Sequence, residues 1–148
     1  NEYRAEVGIK PLEFDSELAA FACYRGWVDI SEGYGAHDWL TDEANDERVN
    51  AMIGLLDMSL LGENTVDCGV RSSTQHLHTT FYINYRYSPD HYEAMVNPKY
   101  KYFGCSHIYF GNNRIPESKR RDSSTYHLPM MRVEFDLFTD GLSTPVHP

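Results

Sequence analysis

The hydrophobic period of this chain changes once, at Asn97-Pro98, and that change limits the folds open to it. Before the break, apolar residues recur at helical spacing. After it, "YKYFGCSHIYF" and "PMMRVEFDLF" alternate and are rich in aromatic and β-branched residues. The first pattern suits helices with one buried side, and the second suits half-buried strands. Helices first and strands later predict an α+β layered domain.

Local signals punctuate this order. Residues 1–7 read as a short helix ended by Gly8 and Pro11. Asp15 can cap a second helix, "DSELAAFACYRGWVDIS", whose Leu18, Phe21, Ala22, Arg25 and Val28 share one side. "EGYGAHDW" is a turn-rich loop carrying His37. "TDEANDERVNAMIGLLDMSLLG" predicts a third helix, with acids in its first turns, a stripe of Val49, Met52, Ile53 and Leu56, and Gly62 as its stop. "SSTQHLHTTFYINYRY" reads as another helix, although its residues would also suit a strand. In "SPDHYEAMVNP", Ser88 can cap, Pro89 fits the first helical position, and Asn97-Pro98 ends the helix. "GNNRIPESKRRDSS" is a long polar connection between the strands.

With 148 residues the chain is most simply one domain over 1–148, its opening in mid-helix style pointing to a trimmed N-terminus and 139–148 to a tail. A net charge of -9 opposes nucleic-acid binding, and the basic run "KRR" at 119–121 is too small to reverse it. No apolar run approaches the roughly 20 residues of a membrane span. Eleven tyrosines suit a half-wet cleft or a binding face, and solvent-facing elements equally well. Cys23, Cys68 and Cys105 form no CxxC, so no zinc knuckle is signalled, while one bridge such as Cys68 to Cys105 stays open.

"GEN" at 62–64 places an acid and an amide where the chain turns back toward its core. Glu63 can be a buried carboxylate that accepts backbone N–H bonds and staples the turn, or a group that faces a cleft. Asn64 suits a turn and also a ligand contact. His91 falls in the first turn of a short helix. Tyr85, Tyr87 and Tyr92 flank it, as cleft wall or as packing. His76 and His78 would share one side of a strand and could hold a metal, but diverge on a helix. Ser88 as a nucleophile would need a base and an oxyanion site, and a cap already accounts for it.

Four segments, in order, resemble the bacterial form of the CAP superfamily of cysteine-rich secretory proteins, antigen 5 and pathogenesis-related type 1 proteins. They are the opening "NEYRAEVGIKPLEFDSELAAFACYRG", "AHDW", "GEN" and "YSPDHYEAMVNPKYKYFGCSHIYF", together spanning most of residues 1–110. The resemblance implies a three-layer α-β-α sandwich, an antiparallel sheet flanked by helices, with a central cleft. It implies that His37, Glu63 and His91 converge there, Glu63 reaching from a helix end. Two departures stand out: Tyr85 occupies the place of the family's usual tryptophan, and Ser88 stands where many eukaryotic members carry a second cleft glutamate. The eukaryotic disulfide pattern is absent.

The resulting expectation is a secreted or cell-surface binding domain without established catalysis. Glu63, Asn64, Tyr85 and Ser88 would be its ligand-binding residues. His37 and His91 would be the metal ligands, with Zn²⁺ the candidate ion. Its partner would be a small polar ligand, a cell-envelope component or another protein. The rival is a metal-dependent hydrolase with Glu63 as general base, and the third reading is a structural spacer in an envelope protein.

Overall fold

The computed structural model describes residues 1–32, 47, 48, 50, 51, 54, 61–69, 85–111 and 130–141. In chain order these form α1 (Glu2–Glu6), β1 (Glu13–Phe14), α2 (Ser16–Glu32), β2 (Leu61–Gly69), α3 (Pro89–Val96), β3 (Tyr102–Gly111) and β4 (Met130–Thr139). The sheet order is β1-β3-β4-β2. Its three long strands pair antiparallel, and β1 adds a two-residue parallel edge against β3.

Helices cover both faces. Because side chains alternate along a strand, neighbours in β3 serve different layers. Gly104 faces α2 so closely that an added Cβ would strike the backbone of Leu18 and Ala19. Phe103, one residue earlier, faces the other way, and with Ala94 and Met95 of α3 it packs against Leu12, Tyr100 and Phe138. The α2 stripe is buried as its spacing predicts, with Leu18, Phe21, Ala22, Arg25 and Val28 all inside. Asp15 caps α2 by accepting the Leu18 N–H at 2.8 Å. The architecture is therefore the three-layer α-β-α sandwich.

The chain's opening residues lock the second helical layer in place. The Asn1 side-chain amide exchanges two hydrogen bonds with the Leu12 backbone, at 3.0 and 2.8 Å. Arg4, buried, donates to the carbonyls of Lys10, Met95, Asn97 and Tyr100, which ties α1 to the end of α3.

Several expectations change. Gly62 does not stop a helix, since Leu61–Gly69 is a strand. Among the described residues the positive-φ glycine is Gly8, at 73°. Gly62 lacks a side chain for another reason: its Cβ would run into the Tyr100 ring. Ser88 occupies the position before α3 with extended backbone but makes no side-chain capping bond, while Pro89 takes the first helical place. Of the expected helix over 72–87, residues 85–87 are described and are helical. Cys105 is a free, exposed thiol. The register sets Cys68 opposite Arg132 and Cys105 opposite Asp136, on strands either side of β4. Two strand spacings, about 10 Å, are already beyond what a disulfide spans.

Candidate functional site

The GEN tripeptide lies near the start of the edge strand β2, and its three residues each meet a different neighbour. Gly62 receives the Tyr100 ring. Glu63 and Asn64, being consecutive in a strand, point to opposite faces. Glu63 points toward α2. There Arg25 donates from Nε to Oε2 at 2.9 Å and from the Nη2 amine to Oε1 at 3.1 Å. The two side chains are 0% and 2% exposed, so this is a buried, bidentate ion pair. Removing one partner of such a pair costs about 3–5 kcal/mol, because the other charge is left in a low-dielectric interior. Glu63 lies within a strand and not at a helix end.

Asn64, 1% exposed, points the other way and donates from Nδ2 to the His91 carbonyl at 3.0 Å. That bond fixes the first turn of α3 against β2. The half-buried His91 ring packs on buried Tyr85, with ring centroids 5.0 Å apart at 44°. Ser88, partly buried, opens the same helix three residues before His91. Asn64, Tyr85, Ser88 and His91 thus lie together where β2 meets α3, while Glu63 lies on the opposite face of the sheet, against α2. Tyr92 faces α1 instead, 5.6 Å from the Tyr3 ring, and Tyr87 is exposed. His107 is an exposed residue of β3. His37, His76, His78 and His127 lie outside the described residues. Among those described, no three His, Cys, Asp or Glu side chains gather to hold a metal.

A separate cavity of about 180 Å³ lies between α1 and the sheet, lined by Arg4, Met95, Phe103, Cys105, Asp136 and Phe138 among others. The guanidinium of Arg4 is pushed down from its ordinary value by burial.

Residues 1–115 match the sequence profile of the CAP group, described as the cysteine-rich secretory protein family. The chain belongs to that family. Its fold is similar to that of a cysteine-rich secretory protein from Staphylococcus aureus, with a TM-score of 0.56 at 16% identity. The likeness covers 95% of this chain and 35% of that one, so this chain spans about a third of the length of the solved protein. No curated protein matches the sequence.

Arg25 is the site residue that the CAP motifs did not name. A signal for it was present, because an arginine within an apolar helical stripe must find buried acceptors, and a buried acid is one way to supply them. No helix among the described residues of this CAP chain is long and apolar enough to cross a membrane.

Proposed function

We propose that this CAP domain is a binding or interaction module, secreted or attached at the cell surface, with no catalytic turnover. Its ligand is a divalent ion or a small polar molecule, taken up beside Asn64, Tyr85, Ser88 and His91, with His37 as the second imidazole and Glu63 as the carboxylate that anchors the other face of the same strand. Zn²⁺ is the ion that two histidines suit.

One observation carries the preference for binding over hydrolysis. A general base must turn an oxygen toward the proton it removes. Both oxygens of Glu63 already accept from Arg25, and the side chain is 2% exposed. Family membership supports a secreted or surface location, and the net charge of -9 is compatible with it.

Calorimetric titration with Zn²⁺ of the wild type, His37→Ala and His91→Ala, followed by ester and peptide assays, tests this reading. The expected result is zinc binding that both variants lose, with no metal-dependent hydrolysis. Turnover that requires zinc and both histidines would reverse the assignment. Absence of any histidine-dependent binding would leave the spacer reading.

A further inference from the structure

We propose that the cavity between the α1–β1 and α3–β3 connections is a binding site for a small organic phosphate monoester, held by Arg4, Lys10 and Lys101. It lies past the C-terminal end of α3, whereas His91 is in the first turn of that helix, and it does not rest on the histidine reading.

The two connections run side by side because Arg4 ties them together. It donates to the Lys10 carbonyl in the first and to the Asn97 and Tyr100 carbonyls in the second. Between them is a cavity of about 570 Å³, with Arg4, Lys10, Glu13 and Lys101 in its lining. That volume falls among those of small-molecule pockets.

The charge of this lining is opposite in sign to that of the chain. Three cations against Glu13 leave two positive charges, on a molecule whose net charge is -9. Arg4 is the unusual member. It is 3% exposed, and its four partners are carbonyls, which satisfy its hydrogen bonding without bringing a negative charge. Burial pushes its guanidinium down from the ordinary value, with no carboxylate contributing in the other direction. A buried cation at a cavity wall attracts an anion more strongly than an exposed one does, because water screens it less. Lys10 and Lys101 are exposed, and their flexible stems carry compact point charges of the kind that bind phosphate.

Charge and size select the ligand. A phosphate monoester carries about two negative charges at neutral pH, which matches the lining, whereas a carboxylate carries one. The cavity is much larger than phosphate itself, and Pro11, Pro98 and half-buried Tyr102 give its organic part a wall to pack on. The smaller cavity that Arg4 also lines holds Asp136 and no lysine, so it does not favour an anion.

The test titrates phenyl phosphate, inorganic phosphate and benzoate separately into the protein at low ionic strength with EDTA present, followed by NMR. The proteins are wild type, Lys10→Gln, Lys101→Gln, His91→Ala and Lys99→Gln, the last removing an exposed lysine outside the lining. Arg4 is left unchanged because it holds the two connections together. Saturable phenyl phosphate binding is expected, with amide shifts confined to the two connections, about tenfold tighter than inorganic phosphate or benzoate. Lys10→Gln and Lys101→Gln should each weaken it by about fivefold, and Lys99→Gln and His91→Ala by less than about twofold.

Failure of phenyl phosphate to saturate by about 10 mM overturns the proposal. Equal affinity for benzoate removes the phosphate assignment, and equal affinity for inorganic phosphate removes the organic one. Equal losses in Lys99→Gln would reduce the effect to general surface charge, and loss in His91→Ala would move the ligand to the other end of α3.

Discussion

Arg4 and Tyr100 show two ways in which a single buried polar group is accommodated. Arg4 spreads one charge over four backbone carbonyls, so its burial leaves the guanidinium satisfied. Tyr100, 8% exposed, is held mostly by packing: its ring stacks on Phe138 at 5.7 Å and its edge fills the space left by Gly62. Burial, with a smaller contribution from Asp140, raises its phenol above the ordinary value of 10.0. In the folded state the proton is therefore retained after the unfolded chain has released it. Unfolding then releases a proton, so this residue's stability contribution is present below pH 10 and falls as pH rises above it. Urea unfolding of Tyr100→Phe and wild type across this range should show a steeper alkaline loss for the wild type. Parallel pH dependences would contradict the assignment. The other ten tyrosines are common to both proteins and cancel in the comparison.

Among the elements, α2 shows best what the amino-acid pattern makes legible. Asp15 and the stripe from Leu18 to Val28 suffice to place it, because capping and helical periodicity are local properties. The long strands β3 and β4 were legible for the same reason. β1 was not, since two residues paired in parallel exist only once β3 lies beside them. Gly62 was misread because glycine answers two different demands, left-handed backbone or close approach, and the residues around it do not distinguish them. Gly104 meets the second demand in its strictest form. Its missing Cβ is what allows α2 to rest on β3, and the obstructing atoms are backbone, which cannot rotate away. Gly104→Ala should destabilise the fold by about 2–3 kcal/mol or more through overpacking. Gly141→Ala, at a position with open space around it, should stay within about 0.5 kcal/mol of wild type. Chemical denaturation of the two variants measures both, and equal losses would show that α2 does not depend on this contact.

At the scale of the whole molecule, the GEN segment joins three layers through one strand. Glu63 fastens β2 to α2, and Asn64 fastens it to α3. The site's residues were legible one by one, but their division between the two sheet faces depends on β2 being a strand, which the turn-like spelling concealed. This division makes the layers separable by mutation. Asn64→Ala removes a buried bond to the His91 carbonyl, at a cost of about 1–3 kcal/mol, on the α3 side only. Glu63→Gln weakens the grip of Arg25 on the α2 side only. Native-state hydrogen exchange can read the two sides independently, because cooperative units open with their own free energies. The expected outcome is faster exchange in α3 amides for Asn64→Ala, with α2 close to wild type, and the reverse for Glu63→Gln. If either substitution accelerated both helices equally, the sandwich would be opening as one unit. In that case β2 would be an ordinary edge strand, and the tripeptide would lose its standing as the junction that holds His91 and Arg25 on opposite sides of a single sheet.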